Sequence, residues 1–229
     1  MLDDRLVEGC WLRVTSPGVR SLPVTDAGDT HSDTAGQGQL PDWPHPEPEL
    51  RLPPVAPGQR SEATAELLRS LKFDPDGPDP NIFATLAHHP RLLKRWSAFG
   101  GTLLYRSELS DRERELLILR TAWHCRAHYE WSHHVPLGQR VGITPEEITR
   151  VTEGPSAPGW DEGDAALLRA ADELHADAVI GDATWAELAR RYEPAQLVEI
   201  PMVVGQYHLV AFTLNSLGVQ LDGPDTPEA

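Results

Sequence analysis

A chain of 229 residues with 40% hydrophobic content is long enough for one sizeable core plus an appendage, or for two small domains. Its formal charge of −15, from 35 acidic and 20 basic residues, argues against nucleic acid or an anionic membrane as a partner. The two cysteines, Cys10 and Cys125, supply no disulfide framework, so a reducing cytoplasm is the expected compartment. Asp3 and Asp4 stand where a signal peptide carries basic residues, and no run approaches about eighteen apolar residues, so neither export nor a membrane span is expected.

Residues 1–57 are rich in Pro, Gly, Asp, Ser and Thr, and PDWPHPEPELRLPPVAPG alone holds seven prolines. Such a segment cannot bury enough surface to offset its chain entropy. It is therefore expected to be a disordered or extended arm, with Trp11 and Trp43 as candidate anchors. The folded domain is expected over 58–222, with a tail at 223–229. Ser61 opens a short helix with Leu67, Leu68 and Leu71 inward. DPDGPDP forces a loop, and NIFATLAHH gives a second helix that stops at Pro90. Leu92, Trp96, Phe99 and Leu103 predict a third helix resting on that stripe, with Arg91, Lys94 and Arg95 outward.

Ser110 and Glu113 form a capping-box pair that opens the next helix. On it Glu115 shares a stripe with Ile118, Leu119 and Ala122. After a tight bend, a further helix carries Glu130 and His134, four residues apart and so on one face. Pro136 is expected to end or kink that helix. Thr144-Pro145-Glu146-Glu147 is a strong helix start. Beyond a Gly/Pro loop, Leu167, Ala171, Leu174 and Ala178 mark another helix. Asp182 is expected to cap the one after it, with Trp185, Leu188 and Tyr192 inward. The last opens at Pro194, carries Leu197, Ile200, Val204, Tyr207, Ala211 and Leu214, kinks at Pro201 and ends at Gly218. LSDRERELLILRTAW and YEPAQLVEIPMVVGQY form a weak internal echo. With no β-alternation of useful length, the expected fold is all-α, a compact helical bundle.

Three chemistries compete for the central stretch. Four of the ten histidines (His124, His128, His133 and His134) fall within eleven residues beside Cys125 and Glu130. Yet Glu130-x-x-His133 has no second Glu-x-x-His to complete a di-iron set, and the spacing fits no zinc pattern, so no metal is assigned. Cys125 has no partner at Cys-x-x-Cys spacing, since His128 stands there, and reads as a small buried apolar group. Acid–base chemistry fits best. Glu115, Glu130 and His134 offer two carboxyls and an imidazole, and burial raises a carboxyl's pKa toward neutrality. The same three residues would also serve as a satisfied polar knot in a bundle core. Arg112, Arg120 and Arg126 are read as pairing residues, with Arg120 a candidate clamp on a substrate carboxylate. Tyr129 and His133 are candidates to line its pocket.

ERELLILRTAW, AHYEWSHH followed by GQRVGITPEEI, and the closing VGQYHLVAFTLNSLGV resemble the carboxymuconolactone decarboxylase family, which includes the alkylhydroperoxidase D-like proteins. The resemblance spans about Ala63 to Asp222. In the family's peroxidase branch a Cys-x-x-Cys lies between the glutamate and the histidine. Laying His134 and Gly142 on that pattern puts Ala127 and Glu130 at the two cysteine positions and Glu115 at the glutamate. The resemblance thus implies an all-α fold, a homo-oligomer (trimer or hexamer), no cofactor, and lyase- or isomerase-type chemistry on a small carbonyl, carboxylic-acid or lactone substrate. Its site would be Glu115, Glu130 and His134. Thiol peroxidase activity through Cys125 and a non-catalytic binding protein are the alternatives.

Overall fold

The structure is a computed structural model that describes residues 42–72 and 76–223. Among them the chain forms α1 (Glu62–Leu71), α2 (Asn81–Leu86), α3 (Pro90–Tyr105), α4 (Asp111–His124), α5 (His128–Arg140), α6 (Pro145–Glu153), α7 (Glu162–Asp177), α8 (Asp182–Ala189) and α9 (Pro194–Leu217). No strand is present among these residues, so the all-α expectation holds.

α4 is the axis of the bundle. It touches α5, α6, α7 and α9, and every residue from Arg114 to Ala122 is buried. Glu115 therefore sits on a helix covered on all sides rather than on one stripe. Leu116 and Leu119 join a cluster with Trp131, Ile143, Ile148 and Val151, while Leu117 and Ile118 join another with Leu167, Ala171, Ile200 and Val204. Each such leucine contributes about 1.5–3 kcal/mol relative to exposure. Caps set the start of the axis: the Ser110 hydroxyl accepts from Glu113 N–H, and the Glu113 carboxylate accepts from Ser110 N–H at 2.8 Å. Thr144 and Glu147 repeat the device at α6. The Arg112 guanidinium donates to Glu147 and Asp164, tying α4, α6 and α7 together at one end.

Some expected faces are corrected. On α3, Leu92 and Phe99 point outward, while Leu93, Ser97 and Leu103 are buried. The helix presents its small residues: a Cβ on Gly100 would come within 3.3 Å of Gln206 Nε2, so Ser97 and Gly100 let α9 approach. On α8, Trp185 is exposed and Thr184 is inward, donating to Glu173 Oε1 at 2.6 Å. The N-cap there is Gly181, whose N–H donates to Glu173, and Asp182 is the first helical residue. Neither Pro136 nor Pro201 ends its helix. Packing of α5 and α9 against α4 holds both through the missing donor.

α9 is long and apolar enough, by length and composition alone, to cross a membrane. Burial of Ile200, Val203, Val204, Tyr207, Ala211 and Leu214 in the core accounts for much of that character. The remainder lies outside, in the exposed Val198, Met202, Leu209 and Phe212.

The end of the arm is extended and laid against the domain. Trp43 stacks on His128 and meets Trp123 edge-on. Arg51 and Leu52 N–H both donate to Leu217 O, and Val55 N–H donates to Ala84 O. Gly218 closes α9 at φ +66, and a Cβ there would lie 1.8 Å from Glu49 O, so both the left-handed cap and the crossing arm require glycine. The rest of the arm, with Cys10 and Trp11, and the tail beyond Gly223 lie outside the described residues.

Candidate active site

α4 and α5 are joined through Cys125, Arg126 and Ala127. Arg126 adopts φ +54, which turns the chain sharply enough to bring α5 back along α4. Asn215 of α9 fixes this bend by donating from Nδ2 to Cys125 O at 2.8 Å. The bend places His134 against the middle of α4, where its Nδ1 lies 2.7 Å from Glu115 Oε2. Both residues are buried, Glu115 to 2% exposure. The other Glu115 oxygen faces Arg114 Nη2 at 3.6 Å. With the Glu115 carboxylate accepting, the imidazole proton is assigned to Nδ1 and the lone pair to Nε2.

Glu130 lies one turn before His134 and is 2% exposed. Neither of its oxygens has a hydrogen-bond partner among the described residues. Burial first, and then the charge of Glu115, push its carboxyl well above the usual carboxylate range, so the neutral acid is favoured. Tyr207 of α9 closes the group, meeting the His134 ring edge-on at 5.1 Å between centroids. Burial, then Glu115 and Glu130, raise its hydroxyl well above its ordinary value, so it remains a proton donor. Sequence reasoning took Tyr207 as core. Its position in an apolar stripe hid the polar tip, and the only available signal was a tyrosine where a leucine would fill the same space.

Thus the structure brings Glu115 and His134 into contact, with Glu130 electrostatically coupled to Glu115. The three residues expected to bind substrate are engaged elsewhere. Arg120 Nε and Nη2 donate to the two oxygens of Asp172 at 2.6 and 3.1 Å, and Nη1 donates to Val151 O at 2.7 Å. Its guanidinium joins α4 to α6 and α7. Tyr129 donates to Asp222 Oδ2 at 2.8 Å, and His133 Nε2 meets the same oxygen at 3.0 Å. Those two side chains hold the segment after α9, and Asn81 N–H completes the grip on Asp222 at 2.8 Å.

The histidine-rich stretch does not converge. His124 pairs with Asp172, His128 with Glu47, His133 with Asp222 and His134 with Glu115. Cys125 is half-buried, and burial, followed by the Glu130 charge, pushes its thiol up to about 12. That opposes the thiolate a peroxidase needs.

The chain is thus an all-α bundle with a buried Glu–His pair between α4 and α5. Residues 90–173 match the model of the Carboxymuconolactone decarboxylase family, a stretch that covers α3 through most of α7, with Glu115, Glu130 and His134 inside the match. A search of curated proteins gave no match. Among solved structures, the alkylhydroperoxidase AhpD core of an uncharacterized peroxidase-related protein from Ralstonia eutropha JMP134 superposes with a TM-score of 0.65 at 18% identity, covering 78% of this chain and 94% of that one. An uncharacterized peroxidase-related protein from Silicibacter sp. TM1040 gives 0.65 at 18% identity, covering 82% and 96%. The debrominase Bmp8, in complex with 2,3,4-tribromopyrrole, gives 0.64 at 15% identity, covering 78% and 95%. At these identities the likeness establishes the fold.

Proposed function

We propose that this chain is a cofactor-free acid–base enzyme, of lyase or isomerase type, acting on a small carbonyl, carboxylic-acid or lactone substrate. The observation that carries the reading is Glu130: an enclosed carboxyl with no partner on either oxygen among the described residues, one turn from an imidazole already oriented by Glu115. An unpartnered buried acid costs several kcal/mol unless a ligand completes it. His134 Nε2 takes a proton from the carbon next to the carbonyl, and Glu115 steadies the imidazolium that results. Glu130 delivers its proton to the carbanion-like carbon, whether that arises by this deprotonation or by loss of CO2. Tyr207 donates toward the oxygen where charge develops. Cytoplasmic residence belongs to the same reading.

Turnover of such a substrate is expected to fall at least about a hundredfold in both Glu130→Gln and His134→Ala. Steady-state rates that stay within a factor of about two in both variants would sink the assignment. Thiol peroxidase chemistry is disfavoured by the raised Cys125 thiol and by Ala127 and Glu130 at the two redox positions.

Self-association is part of the proposal. Val198, Met202, Leu209 and Phe212 form an exposed apolar seam along α9, with open space at Gly205 in its middle. A second copy of the same seam would cover it, the glycine allowing close approach. Phe212→Asp should lower the mass seen by light scattering toward the monomer. An unchanged mass would remove this seam as the interface.

A further inference from the structure

Away from the acid–base group, three side chains from distant parts of the sequence meet. Cys125 caps the C-terminus of α4, His175 lies near the end of α7, and His208 lies in the middle of α9. One donor atom from each lies within 4.8 Å of the other two. His175 Nδ1 and His208 Nε2 are 2.9 Å apart. A tetrahedral zinc ion, with bonds of about 2.0–2.1 Å to nitrogen and 2.3 Å to sulfur, holds such donors about 3.3–3.7 Å apart. Small side-chain rotations would bring the present set to that spacing.

Each donor is positioned by a contact through another of its atoms or its ring face, and the hydrogen bond between the two ligating nitrogens would give way to the metal. His208 Nδ1 donates to Val204 O at 2.8 Å, which fixes the tautomer and aims the Nε2 lone pair at His175. His175 stacks on His124 at 4.6 Å, and His124 is itself anchored to Asp172. Cys125 is positioned through its carbonyl by Asn215. His175 is exposed while the thiol is half-buried, so one side of the cluster opens to solvent for an entering ion. A Cys/His/His donor set of mixed hardness suits a borderline-soft divalent cation and not magnesium or calcium.

We propose that Cys125, His175 and His208 form a zinc site, with a fourth position left to water or an exogenous ligand. The inference does not depend on the acid–base reading. Binding exchanges the Cys125 thiol proton for the metal, moves the His175 ring proton from Nδ1 to Nε2, and ties α4, α7 and α9 together.

The test uses full-length protein stripped with EDTA and titrated with zinc chloride against a chromogenic chelator, then with cobalt chloride. The expected result is about one zinc per chain, and a thiolate-to-cobalt charge-transfer band that is absent in Cys125→Ser. His175→Ala and His208→Ala should each weaken zinc at least about tenfold, while His89→Ala, on the exposed start of α3, leaves it unchanged. His175 is exposed, so its variant carries the test even if Cys125→Ser folds poorly by circular dichroism. No zinc uptake by the native chain, unchanged affinity in His175→Ala, or a cobalt spectrum without the thiolate band would each overturn the proposal.

Discussion

Two clusters of titratable side chains hang from the same bend between α4 and α5, and they are built in opposite ways. Glu115, Glu130 and His134 are enclosed, come from adjacent helices and include a carboxyl with no hydrogen-bond partner among the described residues. Cys125, His175 and His208 come from three helices far apart in sequence and reach the surface. Enclosure suits proton transfer, because low polarity shifts a carboxyl toward neutrality and excludes competing water. Partial exposure suits capture of an ion, which must shed its hydration as it enters. One bend thus supports two clusters of opposite build.

The largest expected effect tests how far enclosure matters. Glu115→Ala leaves His134 and Arg114 without their shared carboxylate in the core and should cost about 3–5 kcal/mol in urea unfolding. By contrast, His175→Ala at an exposed position should stay within about 0.5 kcal/mol in metal-free protein. Similar losses in both would erase the contrast. A smaller effect separates the clusters by pH. The folded state raises the Glu130 carboxyl above its unfolded value, so it binds the proton more tightly when folded. Its stabilising contribution is present below the ordinary carboxylate range and is lost as pH rises toward the raised folded value. Glu130→Gln should therefore gain melting temperature relative to the native chain as pH increases from acid to neutral. A difference between the two proteins that does not change with pH would contradict the buried acid.

The sequence revealed the enclosed cluster for a simple reason. Glu130 and His134 are separated by one helical turn, and the Ser110–Glu113 box fixes where α4 starts, so the position of Glu115 on its helix is legible from the residues alone. The stretch His124 to His134, to which no metal was assigned, shows that clustering in sequence is not clustering in space. Successive helical residues are rotated by about 100°, and the four rings reach four different carboxylates. His175 and His208 looked ordinary because each is isolated on its own helix, and only packing brings them to Cys125. The α3 face was misassigned for a related reason. Leu92-Leu93 offers two overlapping stripes, and the choice was made by Ser97 and Gly100, whose small size matters only once α9 is alongside. Arg120 was legible as a pairing residue but not as one already saturated by Asp172 and Val151.

The crossing of Glu49 over Gly218 stitches the two described ends of the chain into a single seam. No atom can be added at that point without lifting the arm that crosses above it. The lifted arm would carry with it the Arg51 and Leu52 bonds to Leu217 and, further along, the Trp43 ring that packs on Trp123. Trimming the chain at the apparent domain boundary would therefore strip a built-in cover from the bundle, and a shortened protein would be stickier than the native one.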